Sequence, residues 1–194
     1  MKTAIALLAL TVALLISRTA GAVVIADGQQ VQGLGPDNQP LILTALHEFD
    51  SQAGEDKATF LKRVGRFMQT YSATTTFEAC GSIWRNADDT QWSVQIATTS
   101  SHVECIVITE RPNDNAALVM TDESIHSHPL KAELKANAVD ARLSGHVEGH
   151  KLALFNATFS PDDLAAGPGY LIANRHLQHQ RGAGTQEDLG AIAE

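Results

Sequence analysis

The sequence is short of the features that assign a function quickly. Aromatic residues make up 5% of its 194 residues, too few for a platform that stacks nucleic-acid bases. Lys and Arg number 14 against 22 Asp and Glu, a formal net charge of -8, so a basic nucleic-acid-binding face is not expected. No Gly-x-Ser-x-Gly string marks the nucleophile elbow of a serine hydrolase. The only two cysteines, Cys80 and Cys105, are too few and too far apart for a zinc ribbon. Neither lies in a recognisable cysteine-protease signature. There is no internal repeat and no low-complexity tract. After the first twenty-two residues no apolar run is long enough to span a bilayer.

Hydrophobic residues account for 44% and charged residues for 19%, a composition that supports one compact domain with a buried core. The N-terminus reads as an export signal. Lys2 gives a small positive start, Ala4 to Ile16 is almost unbroken Ala, Ile, Leu and Val, and Ala20-Gly21-Ala22 supplies the small residues of a cleavage site. The expectation is cleavage after Ala22 and an exported protein, periplasmic or secreted, with no membrane span left. Removal of Lys2 and Arg18 makes the remainder more acidic. An even cysteine count in that compartment allows one disulfide between Cys80 and Cys105, bridging neighbouring strands; two buried free thiols are the alternative.

Residues 23–40, with Gly28, Gly33, Gly35 and Pro36, read as an extended or loose lead. From Leu41 the apolar residues recur at three- and four-residue steps, which predicts helix, broken near Gly54, with a second helix over about 56–71. Short β-like runs follow at 77–84, 92–97, 103–109 and 116–128. Residues 130–141 read as helical or irregular, and 151–159 and 170–180 as further strands. A helical layer followed by a mainly antiparallel sheet is an α+β pattern.

Three segments carry candidate chemistry. In Ile125-His126-Ser127-His128-Pro129, an extended chain places residues two apart on one side, so His126 and His128 aim their imidazoles together. Exposed strand histidines give the same string. A catalytic zinc takes three protein ligands and leaves a position open. In Ser160-Pro161-Asp162-Asp163, Ser160 is a natural N-cap and Pro161 suits the first helical position. A capping box explains this segment without catalysis, but the same geometry suits a third ligand, Asp163, beside an oxyanion donor, Ser160. Glu78 is a carboxylate in an apolar strand. It is either solvated at an edge or placed to move a proton beside a metal-activated water.

In this order, Glu78 with Gly81, then His126-Ser127-His128-Pro129, then Ser160 with Asp163, the sequence resembles the JAB/MPN family and its JAMM metalloproteases over about residues 60–182. The resemblance implies a cytidine-deaminase-like mixed sheet flanked by helices, with a signal peptide over 1–22, a lead and helix over 23–55, and a catalytic domain over 56–194. It implies one zinc ion per chain held by His126, His128 and Asp163. Glu78 would be the general acid/base and Ser160 the oxyanion donor. The reaction would be hydrolysis of a peptide or isopeptide bond in a peptide or protein substrate. Cell-envelope peptides or a partner protein's tail suit an exported location.

The chain departs from the family in one respect. Thirty residues, Leu130 to Phe159, stand where the family has a short spacing, so they are expected to form an insertion beside the site, as a lid or a substrate-selecting wall. Within it, His146, Glu148 and His150 do not form a zincin string, and Gly145 and Gly149 disfavour a helix; surface histidines are expected. His47 and His102 also read as surface residues, and His176 and His179 as lying on opposite faces of a strand. Asn156-Ala157-Thr158 matches a glycosylation acceptor, without meaning in a bacterial source. Two other functions fit the same residues. One is an inactive JAB-like binding module that takes a partner's tail by strand addition. The other is a general metal-binding exported protein, suggested by the eight histidines and acidic balance.

Overall fold

The computed structural model describes residues 26–193, apart from 36–38, 111, 113, 114, 116, 132 and 156. The expected export segment, 1–22, and Asn156 of the glycosylation string lie outside the described residues. No described helix is long and apolar enough to cross a membrane.

The described residues form ten strands and three helices. These are β1 (Gln30–Leu34), β2 (Pro40–Asp50), α1 (Lys57–Thr75), β3 (Cys80–Arg85), β4 (Trp92–Thr98) and β5 (Val119–Ser127). Then come β6 (Glu133–Lys135), α2 (Ala138–Ser144), β7 (Lys151–Ala153), α3 (Pro161–Ala166), β8 (Gly169–Ala173), β9 (His176–Gln180) and β10 (Glu187–Ala191). Eight strands make one sheet in the order β1-β2-β4-β3-β5-β8-β9-β10, and β6 pairs with β7 separately. All neighbours in the large sheet are antiparallel except β5 and β8. The architecture is α+β with a mostly antiparallel sheet.

The helix α1 begins where Asp56 accepts a hydrogen bond from the Thr59 amide, and ends at Thr76 in the left-handed region. It runs a turn beyond the expected stop near Tyr71. Phe60, Leu61, Val64 and Met68 form its buried stripe and pack on Ile83, Val94, Ile96, Ile125 and Ile172 of the sheet. Each such side chain contributes about 1.5–3 kcal/mol relative to exposure. The opposite face holds a second cluster, Leu41, Leu43, Ala45, Ala97 and Ile108, and a third of Phe159, Leu171 and Ala173.

The helix expected from Leu41 is instead strand β2. A bulge between Ala45 and His47 explains the misleading spacing. Before it, Leu41, Leu43 and Ala45 alternate onto one face; after it, Leu46 and Phe49 join the core on the α1 side. The face switch mimics helical periodicity. The run at 103–109 is not a strand either. Cys105 of this run is bridged to β3, and both edges of β3 are already occupied, by β4 and β5, so it adds no strand there. It crosses the sheet face instead, held by Ser101 Oγ accepting from the Val103 and Glu104 amides and by Ser82 Oγ donating to the Ile108 carbonyl. The 151–159 run is a strand only over β7, and 170–180 is a hairpin, β8 and β9, turning at Asn174 and Arg175 with positive φ.

Candidate metal centre

The site forms where three elements meet on the sheet face opposite α1. In β5, Ile125 and Ser127 face α1, so His126 faces away from it. Ser127 is anchored there by a buried hydrogen bond shared with Ser72 (2.6 Å) and by the Ala79 amide donating to its Oγ. In the antiparallel β3–β5 ladder Cys80 pairs with His126, which puts Glu78, two residues earlier, beside His128. The parallel pairing of β5 with β8 obliges the intervening chain to leave at the histidine end and return to the start of β8. Helix α3 makes the last part of that return, so its N-terminus lies at the histidines.

His126, His128 and Asp163 converge. His126 Nε2 and His128 Nε2 are 3.2 Å apart, and they lie 3.2 Å and 3.4 Å from Asp163 Oδ1 and Oδ2 respectively. Bonds of about 2.1 Å from a central ion put neighbouring tetrahedral donors about 3.4 Å apart. The three residues fit such an ion and can hold a metal. The outer contacts agree with that use. His128 Nδ1 donates to the Phe155 carbonyl, which leaves Nε2 as the free donor atom. The Ser160 amide donates to Asp163 Oδ2 (2.7 Å), and Ser160 Oγ accepts from the Asp163 amide (3.1 Å). The capping box is therefore real, and the carboxylate it orients is the one beside the histidines.

Glu78 is 6% exposed and its Oε1 lies 3.7 Å from His128 Nε2. It is not a solvated edge residue. Burial pushes its carboxyl well above the usual carboxylate range, and the negative charges of Asp163, Glu104 and Asp140 push the same way. Burial acts on Asp163 in the same direction, but the hydrogen bonds and charges of His126 and His128 prevail and hold it far below that range. Burial lowers His126, and the neighbouring His128 adds to this against the pull of Asp163.

A cavity of about 220 Å³ opens beside the centre, lined by Glu78, His128, Ser160 and Asp163 on one side and by Leu154 and Phe155 of the 130–159 excursion on another. The excursion is thus a wall of the site. It is tied down by Asp140, which accepts from Ser101 Oγ (2.6 Å), the His102 amide (2.8 Å) and the Asn137 amide (2.7 Å).

Cys80 and Cys105 form a disulfide. It does not bridge neighbouring strands as expected: Cys105 lies in the crossing segment 99–110 and is fastened to β3 beside His126. His102, expected at the surface, is buried against Asp140, Nδ1 to Oδ2 at 2.7 Å. Its partner is thirty-eight positions along the chain, so no local pattern signals the pair. His146 and His150 are exposed as expected, and His179 turns inward to Glu123 while His176 turns outward to Asp188. Comparison of the chain with protein-family models, with curated proteins and with solved structures finds no significant match.

Proposed function

We propose that the protein is an exported, zinc-dependent peptidase or isopeptidase of JAMM type on a JAB/MPN-like fold. The observation that carries this reading is the convergence of two imidazoles and a carboxylate, with a buried glutamate 3.7 Å from one of them. Two imidazole nitrogens and one carboxylate oxygen are a donor set that zinc accepts, with a position left for water. When bound, zinc supplies Lewis acidity that lowers the pKa of a water and polarises the scissile carbonyl.

The chain's own residues supply the rest. Glu78, with its proton affinity raised by burial, takes a proton from the attacking water and returns it to the leaving amine. Ser160 Oγ accepts from the Asp163 amide, so its hydroxyl proton remains free to donate toward the oxygen on which charge develops. His128 and Asp163 are held in place by the Phe155 carbonyl and the Ser160 amide, which limits reorganisation during the reaction.

The Cys80–Cys105 disulfide supports an oxidising, exported location, and cell-envelope peptides or protein tails are the substrates suited to it. The test is turnover on a peptide library by the zinc-loaded protein. Glu78→Gln is expected to lose at least about 100-fold in hydrolysis with zinc retained. Undiminished hydrolysis in that variant removes Glu78 from the mechanism.

A further inference from the structure

His102 has no part in the reaction above, yet it lines the same cavity as Glu78, His128 and Asp163. It comes from the crossing segment 99–110, between the disulfide and β4. Its residue exposure is 8%, and its ring lies against Phe77. Nδ1 is 2.7 Å from Asp140 Oδ2. A carboxylate only accepts, so Nδ1 carries the hydrogen and the neutral ring keeps its lone pair on Nε2. Asp140 favours the ionised state. Burial would raise its pKa, but the hydrogen bonds from Ser101, His102 and Asn137 outweigh that and lower it.

Among the described residues Nε2 has no hydrogen-bond partner, and it is not among the sealed polar atoms of the interior. The residue that carries it lines the cavity. A purely structural role accounts poorly for this. Asp140 is already satisfied by one hydroxyl and two amides without the imidazole. The excursion has a further tie where Asn137 Nδ2 donates to the Ser100 carbonyl. A largely buried, cavity-lining ring held in one tautomer by a carboxylate, with its second nitrogen left without a partner among the described residues, is arranged to meet a ligand.

We infer that His102 touches the substrate: its Nε2 accepts a backbone N–H of a peptide lying in the cavity beside the metal ligands, and Asp140 is its positioning residue. The choice of a peptide as occupant rests on the peptidase reading; the orientation of the ring does not. The cavity would then bind a peptide between the disulfide-anchored segment and the excursion, with one main-chain amide fixed by His102 and the scissile carbonyl toward the metal.

The test uses the full zinc-loaded chain carrying Glu78→Gln, so that the probe is not consumed, with its histidines labelled with ¹⁵N. The probe is a mixture of N-acetylated tripeptide amides. The expected result is a shift of the His102 Nε2 resonance to lower frequency as the mixture is added, and no such shift in the same protein with Asp140→Asn. In turnover assays, His102→Ala is expected to raise KM at least tenfold, with the loss falling on KM rather than kcat and zinc content unchanged. A His102 Nε2 resonance that does not move overturns the inference, whether or not the wild type hydrolyses peptides. Absence of hydrolysis together with a moving resonance overturns the peptidase reading and leaves the binding role of His102 standing.

Discussion

Cys80 stands opposite His126 in the β3–β5 ladder while its sulfur is bonded to Cys105, so a single residue joins a metal-ligand strand to the segment that forms one side of the cavity. The bridge closes a loop with a sequence separation of 25, and loop-closure entropy assigns about 3.5 kcal/mol to such a cross-link. Replacing both cysteines by alanine is expected to lower stability by about 2–4 kcal/mol, read by urea denaturation of the metal-free protein. The same variant is expected to bind zinc more weakly by calorimetric titration, because the chain beside His126 is no longer held.

Ligand and cap roles at α3 are separable. Asp163→Asn keeps an oxygen that can accept from the Ser160 amide but removes the charge at the histidines. It is expected to leave the fold near wild-type stability and to weaken zinc binding by more than the about 10–100-fold typical of losing an outer-shell partner. His126→Ala is expected to do the same. Ser160→Ala removes the cap acceptor, costs about 1 kcal/mol of stability, and keeps zinc. Its hydrolysis is expected to fall about 10²–10³-fold, as for loss of an oxyanion donor. Zinc titration, denaturation curves and turnover distinguish Ser160→Ala from the two ligand variants.

Asp140 makes stability depend on acid. Burial alone would raise its pKa, but the Ser101, His102 and Asn137 hydrogen bonds hold it below the unfolded value of about 3.9. A folded-state pKa below the unfolded one contributes stability that is complete above the unfolded value and is lost as pH falls through the folded value. The stability difference between wild type and Asp140→Asn is therefore expected to be constant from about pH 6 to 7 and to shrink below about pH 4. A difference that stays the same down to pH 2 would contradict this assignment.

Gly81, three residues after Glu78, is present for want of space. A Cβ there would sit 2.7 Å from the Gln95 carbonyl oxygen and 2.8 Å from Val94 Cγ1. Gly81→Ala is expected to destabilise by about 1–3 kcal/mol, because neighbouring β4 backbone must give way. Part of the loss should appear as reduced zinc affinity, since displacement of β3 moves the partner strand of His126.

The site was more legible than the framework around it. Histidines two apart on a strand share a side by backbone geometry alone, and a Ser-Pro-Asp-Asp string starts a helix whatever the fold. Those local rules singled out the two segments, the resemblance to the JAB/MPN family joined them into one expected site, and the structure brings His126, His128 and Asp163 together. What the local pattern lacked was the interaction at a distance. The bulge after Ala45 moved the apolar residues of β2 from one face to the other and disguised a strand as a helix. The run at 103–109 has β-type composition, but it is bridged to β3, whose two edges β4 and β5 already occupy. His102 and Asp140 find each other only because the excursion folds back over the crossing segment.

The parallel pairing of β5 and β8 has a further consequence. Strand register, and not the number of residues between the strands, decides where α3 begins. The loop from Leu130 to Phe159 is thus a bay whose outer contents can be exchanged while Asp163 keeps its post, provided a carbonyl still meets the His128 ring, a carboxylate still meets His102 and Phe159 stays in its cluster. If the proposed function holds, a graft of foreign sequence into this bay is expected to change which peptides are turned over while His126, His128 and Asp163 stay in place.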